Sequence, residues 1–149
     1  MKKQLLSLFA VMIATASLAQ DKVNWVQSAR KLADGTFEVH LKATIDAGWH
    51  LYSQNAGADM PAPTLISYTK NPLLTLNGKT KEAGKLITKH EDVLDGVVNY
   101  YEKTVDFVQV VKVKGSGKTN LAGKIEFTLC NDRTCLPPKT YVFSVGIGG

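Results

Sequence analysis

Alternation between apolar and polar residues is the feature of this sequence that most restricts its fold. Between residues 36 and 45, apolar side chains occupy every second position, and the side chains between them are polar or charged. A period of two is that of a β-strand with one buried face. The same period recurs in residues 125–129 and 141–147, whereas the longer apolar stretch at 105–113 is typical of a central strand. No stretch keeps apolar residues at helical spacing beyond about two turns, so the sequence predicts an all-β fold.

Turn signals divide the chain into short segments. Tripeptides such as "ADG", "DAG", "LNG" and "LDG" separate the apolar runs. About seven to nine short strands in about 130 residues fit an immunoglobulin-like β-sandwich. The segment "QNAGADMPAP" at 54–63 is rich in small residues and proline, and we expect a loop there. The motif "GSGKT" at 115–119 ends like a phosphate-binding loop, but Lys112 stands where that loop requires glycine, so a turn between two strands is expected.

The first 19 residues have the three parts of an export signal. Lys2 and Lys3 supply the positive start, an apolar run follows over residues 5–16, and Ala19 ends a small-residue cleavage site. We therefore predict a signal peptide at residues 1–19, a single domain at residues 20–149, and export to an oxidising compartment. The apolar run is shorter than the roughly 20 residues that a spanning helix needs, so the mature protein is not expected to span a membrane.

The charge of the chain is moderately positive and evenly spread. The formal net charge of +5 at pH 7 falls to +3 when Lys2 and Lys3 leave with the signal. The remaining basic residues are interleaved with acidic ones along the chain. Because a nucleic-acid partner requires a concentrated basic patch, no such partner is expected.

The two cysteines, Cys130 and Cys135, flank a short polar loop and are followed by two prolines. In an oxidising compartment we expect them to form a disulfide. Closing a loop of about six residues contributes only about 2 kcal/mol, against about 4 kcal/mol for a loop of sixty. The short loop keeps the sulfurs near solvent, and Arg133 within it could help to stabilise a thiolate. The residues alone leave open an exchange-active pair, an inert structural disulfide, and a metal site that would also need His50 or His90.

Three segments of the sequence resemble one family. "CNDRTCLPP" at 130–138, "GWHLYSQ" at 48–54 and "HEDVLDGVVNYYEKTVDFVQV" at 90–110 are similar to the amino-terminal periplasmic domain of the thiol:disulfide interchange protein DsbD. The resemblance implies an immunoglobulin-like sandwich that exchanges disulfides without a cofactor or a metal. It also implies two kinds of partner, namely a membrane-embedded electron donor and thioredoxin-like oxidoreductases that are reduced in turn.

The resemblance also assigns roles near the cysteines. It implies that Cys135 forms mixed disulfides with partners and that Cys130 resolves them. His50 and Tyr52 match two aromatic positions that flank the site. Each of these two also has an ordinary alternative, as core or edge packing.

A cap loop that shields the cysteines when no partner is docked matches residues 92–96. In that match Leu94 is the apolar lid residue, and Asp92 is an acid that would raise the pKa of a nearby thiol by like-charge repulsion. The ordinary alternatives are a turn residue and a solvated charge. The sequence departs from the family in two ways that weaken the assignment of these roles. The loop between the cysteines is one residue shorter, and Val93 replaces a second acid.

Two hypotheses about function follow. In the first, the chain is a stand-alone exchange module that separate proteins reduce and that reduces others, because the membrane and thioredoxin-like domains of the family are missing from it. In the second, it is a non-catalytic sandwich that binds a protein or a glycan, and the disulfide is a local brace.

Overall fold

The computed structural model describes residues 21–57, 62–92 and 95–149. These ranges contain nine β-strands and no α-helix, which confirms the all-β prediction. The strands are β1 (Val23–Ala33), β2 (Thr36–Ile45), β3 (His50–Gly57), β4 (Leu65–Tyr68), β5 (Leu74–Glu91), β6 (Gly96–Val113), β7 (Thr119–Phe127), β8 (Leu129–Cys130) and β9 (Lys139–Ile147). The signal peptide predicted at residues 1–19 lies outside the described residues. The described ranges hold no helix that could cross a lipid bilayer.

The strands form two antiparallel sheets, and the long strand β6 organises the larger one. Along one edge, β6 pairs with β5. Along the opposite edge it pairs with β3 through residues 98–101 and with β2 through residues 104–112. Lys103, with a φ of 64°, stands where the partner changes. β1 continues the sheet beyond β2, β8 continues it beyond β3, and the smaller sheet has the order β4-β7-β9.

The hydrophobic core lies between the two sheets. Phe107 on β6 and Ile125 on β7 are completely buried, and they belong to the same apolar cluster. Trp25 on β1 packs against Phe107 and Phe127 with ring centroids 6.0 and 5.4 Å away, so one side chain contacts both sheets. This arrangement is the immunoglobulin-like β-sandwich that the strand pattern predicted.

The alternating segments bury the predicted face. On β2, Val39, Leu41, Ala43 and Ile45 are buried, while the intervening side chains are exposed or half-buried. β6 has partners on both edges, as expected for a central strand. The "GSGKT" motif begins in the turn between β6 and β7 and ends at the first residue of β7, which confirms that it is a connection between strands.

Strand β5 was not predicted from the sequence. Most of its 18 residues are exposed, so its sequence lacks the alternation that marks a half-buried strand. Gly78, part of an expected turn signal, lies within β5 with a φ of +75°, next to a register shift between Asn77 and Lys81. The turn signal therefore marks an irregularity inside a strand rather than the end of one.

The loop expected at residues 54–63 begins later than predicted. Residues 54–57 belong to β3, residues 58–61 lie outside the described ranges, and residues 62–64 are irregular. Between Tyr52 and Gly57 the pairing of β3 with β6 shifts register. The carboxylate of Glu82 on β5 accepts hydrogen bonds there from the backbone N–H of Gln54 (2.6 Å) and the hydroxyl of Ser53 (2.8 Å). Because these donors are satisfied, the small-residue segment stays in the sheet.

Candidate functional site

The first cysteine reaches its position because the chain changes sheets. β7 belongs to the smaller sheet and ends at Phe127. After the buried Thr128, the two-residue strand β8 pairs instead with β3 in the larger sheet. In this pairing Cys130 stands directly opposite His50, and Leu129 stands opposite Leu51. The change of sheet therefore brings a cysteine beside a histidine that is far away in the sequence.

The second cysteine pairs back onto the first. Cys130 and Cys135 form an isolated antiparallel bridge and a disulfide, with their Cα atoms 4.0 Å apart. The backbone N–H of Asn131 donates to the carbonyl of Thr134 (2.9 Å), and that of Leu136 donates to the carbonyl of Leu129 (2.8 Å). The side-chain oxygen of Asn131 accepts hydrogen bonds from the N–H groups of Arg133 (2.9 Å) and Thr134 (2.8 Å). Because hydrogen bonds close this loop, the disulfide adds little further ordering.

The two cysteines differ sharply in exposure. Cys130 is only 2% exposed and packs in a small apolar cluster with Tyr52 and Ala56, against which Tyr100 lies. Cys135 is exposed. The expectation that the short loop keeps both sulfurs near solvent therefore holds for Cys135, whereas Cys130 is covered because β8 is a paired strand of the larger sheet.

Both cysteines line an open depression of about 710 Å³. It is bordered by residues of β3, β5, β6, β8 and the loop after β8, namely His50, Tyr52, Lys89, Glu91, Val98, Tyr100, Cys130, Asn131, Asp132, Arg133, Thr134 and Cys135. Leu51 and Tyr101 belong to the core between the sheets. Because neighbouring residues in a strand point to opposite faces, His50, Tyr52 and Tyr100 face outward, and the depression lies on the outer face of the larger sheet.

Aromatic rings form one wall of the depression. The ring of His50 lies 4.5 Å from that of Tyr100 and 5.3 Å from that of Tyr52, measured between centroids. The Nε2 atom of His50 is 3.4 Å from the hydroxyl oxygen of Tyr52. Burial lowers the pKa of His50 below its usual value and raises the pKa of Tyr52. Both side chains are therefore held in their neutral forms by desolvation.

Residues near the end of β5 also line the depression. Lys89 and Glu91 of β5 line the depression and form an ion pair of 2.9 Å, which raises the pKa of the exposed lysine. Asp92 is exposed, lies outside the lining, and approaches His90 at 3.4 Å. The segment matched to the cap loop follows β5 in the sequence, and Glu91 at the end of β5 pairs with Gly96 at the start of β6. Val93 and the proposed lid residue Leu94 lie outside the described residues.

The remaining predicted residues are near the cysteines. His50, Tyr52 and Arg133 all line the depression, and Arg133 is exposed in the loop between the cysteines. Among the described residues, no group of three or more His, Cys, Asp or Glu side chains is arranged to hold a metal ion.

Sequence reasoning missed several residues of the site. Tyr100, Val98, Lys89 and Glu91 line the depression but were not singled out. Tyr100 lies opposite Tyr52 in the β3–β6 pairing, and Lys89 lies opposite Val98 in the β5–β6 pairing. The register of these strands is the signal that would have found them, and it could not be known for Lys89 and Glu91 while β5 itself was unrecognised.

Fold and site together define a β-sandwich domain with a disulfide that is accessible from one side. The family model for the N-terminal domain of the thiol:disulfide interchange protein DsbD matches residues 15–147. The chain therefore belongs to this family, as the cysteine segment and its flanking motifs indicated.

Two solved structures share the fold. The N-terminal periplasmic domain of ScsB from Proteus mirabilis has a TM-score of 0.59 and 17% identity, and the match covers 83% of this chain and 46% of that one. The reduced DsbD N-terminal domain of Neisseria meningitidis has a TM-score of 0.51 and 16% identity, with 84% and 86% covered. This chain thus spans less than half of the ScsB domain. No curated protein sequence matches it.

Proposed function

We propose that this chain is an exported thiol-disulfide exchange module that passes reducing equivalents to other oxidoreductases through Cys130 and Cys135. The observation that carries the proposal is the unequal exposure of two bonded cysteines in an open depression. An exchange reaction needs one sulfur that a partner's sulfur can reach in line and a second that resolves the mixed disulfide, and unequal access decides which sulfur takes which role. Cys135 meets the first requirement and Cys130 meets the second.

The reaction has two steps in the reducing direction. The thiolate of Cys135 attacks one sulfur of a partner's disulfide, forming a mixed disulfide and releasing the partner's other sulfur as a thiolate. The thiolate of Cys130 then attacks the Cys135 sulfur, which forms the Cys130–Cys135 bond and releases the partner's second sulfur. Two electrons pass to the partner, whose two thiolates take up the protons that the cysteines lose.

The partners are proposed from the family. Thioredoxin-like oxidoreductases are the acceptors, and a membrane-embedded donor restores the reduced pair. The location in the periplasm rests on the export signal at residues 1–19 together with the family. The rim of the depression, with Lys89, Glu91, Asp132 and Arg133, supplies charges of both signs for docking such a partner.

Replacing Cys130 with serine is expected to trap partners. The variant retains the exposed Cys135 but cannot resolve the mixed disulfide, so partners should appear as larger species on non-reducing gels and disappear on reduction. The matched control is Cys135→Ser, which leaves only the buried Cys130 and should trap far less. Equal trapping by the two variants, or none by either in cells that contain the partners, would contradict the proposal.

The midpoint potential distinguishes exchange from the non-catalytic alternative. An exchange module is expected to have a potential within the range of known exchange proteins, about −270 to −120 mV, whereas a structural brace is expected below about −300 mV. Equilibration of the purified protein with defined thiol-disulfide buffers, followed by alkylation and gel analysis, measures this value. A midpoint potential below about −300 mV would favour a binding module in which the disulfide is never opened.

A further inference from the structure

We propose that His50 accepts the proton of Cys130 when this cysteine resolves the mixed disulfide, and returns it when the reaction runs backward. The inference rests on the proposed exchange function and adds a specific proton acceptor to it.

Strand register places the two groups together. His50 on β3 and Cys130 on β8 are directly opposite each other in an antiparallel pair. Directly opposed residues have Cβ atoms about 4.5–5.5 Å apart and project from the same face of the sheet. Both side chains line the same depression. The imidazole of His50 and the side chain of Cys130 are therefore cross-strand neighbours on the same face of the larger sheet.

Cys130 needs such a group because it is buried. The attacking species in disulfide exchange is the thiolate, and burial in apolar surroundings disfavours that charged form. Cys130 is 2% exposed, so bulk water has little access to its proton. Cys135 is exposed and can lose its proton directly to solvent. A proton acceptor beside Cys130 thus assists the deprotonation of this thiol, which solvent cannot assist.

The surroundings keep the imidazole in its neutral form, which is the form that can accept a proton. Burial lowers the pKa of His50, and this effect exceeds the opposing influence of nearby acids. Tyr52, by contrast, has a raised pKa and retains its proton, so its hydroxyl cannot serve as the base. The titratable and charged groups around His50 are Tyr52 on β3, Lys89 and Glu91 on β5, Tyr100 and Glu102 on β6, and Asp132 and Arg133 in the loop after β8.

The imidazole of His50 carries the Cys130 proton in both directions of the reaction. The neutral imidazole takes the proton from the Cys130 thiol as its sulfur attacks Cys135, and the partner's sulfur leaves as a thiolate. The imidazolium then gives the proton to solvent or to the departing thiolate. In the reverse direction, a partner's thiolate attacks Cys135, and the imidazolium protonates Cys130 as its sulfur leaves.

Ellman's reagent separates the two steps in the purified, reduced protein. Attack by Cys135 releases the first thionitrobenzoate, and resolution by Cys130 releases the second. His50→Phe keeps an aromatic ring but cannot accept a proton, so the second phase should slow by about 100-fold at neutral pH, the lower end of general-base effects. The rate of the first phase should change by less than about twofold. The pH profile of the second phase should lose the inflection that comes from a group with a pKa below those of the thiols.

Two further variants test the chemical role. His90→Phe makes the same change at an exposed histidine outside the depression and should leave both phases unaltered. His50→Ala should also slow the second phase, and added imidazole should restore part of it, which a purely structural defect would not allow. A normal second phase in His50→Phe, with the first phase intact, would overturn the inference and leave the exchange function standing. Absence of the first phase in the wild-type protein would instead overturn the exchange function.

Discussion

In the reduced protein, Cys135 is expected to react with iodoacetamide at least about tenfold faster than Cys130. The physical reason is access, since Cys130 is 2% exposed and packs with Tyr52 and Ala56, while Cys135 is exposed. Hydrogen bonds across the loop hold both residues in place, so the difference should persist after the disulfide is reduced. Timed alkylation followed by peptide mass spectrometry measures the two rates separately.

Unfolding provides the control for this measurement. In concentrated guanidinium chloride the two thiols lose their different surroundings and should react at similar rates. The single variants Cys130→Ser and Cys135→Ser report each thiol alone and should reproduce the order seen in the intact pair. Similar rates in the folded protein would show that Cys130 is reachable, and the assignment of attacking and resolving roles would then fail.

The second large effect is expected at Gly123, where Gly123→Ala should lower the free energy of unfolding by about 3 kcal/mol. Gly123 lies on β7 between the other two strands of the smaller sheet. A Cβ atom there would stand 2.2 Å from the carbonyl oxygen of Ser67 and 2.7 Å from Cζ of Phe143. Phe143 is a buried core residue, so relief of the clash requires β4 or the core itself to move. Chemical denaturation measures the loss.

Gly117→Ala is the matched control. This glycine lies in the turn before β7, and a Cβ atom there would meet no described atom within 4 Å. The same substitution is therefore expected to change stability by less than about 0.5 kcal/mol. Equal stability of the two variants would contradict the close packing of β4 against β7 at Gly123.

Much of the fold could be predicted because the signal is local. The alternation in β2, in β7 and in β9 reports which face of each strand is buried, and the structure buries those faces. Strand β5 was not predicted because its side chains are mostly exposed and carry no such pattern. Residues 54–57 were assigned to a loop because their composition is typical of one, whereas the distant Glu82 holds them in β3.

The site was predicted in part for the same reason. Cys130, Cys135 and Arg133 are neighbours in the sequence, and His50 and Tyr52 were found through the family motif. Tyr100 was missed because it reaches the depression through pairing with Tyr52 on the distant strand β3, whereas Lys89 and Glu91 were missed because β5 carries no strand pattern. Conversely, Asp92 was expected near the thiols but is exposed outside the lining.

The sequence by itself determined that this chain is a β-sandwich with a cysteine pair that closes a short loop, because strand periodicity and cysteine spacing are properties of neighbouring residues. Only the tertiary structure decided which cysteine is covered and which residue stands beside it. Those features depend on the change of sheet after Phe127, by which β8 leaves β7 and pairs with β3. Pairing between distant strands is set by how the whole core packs, and no local pattern in the sequence encodes it.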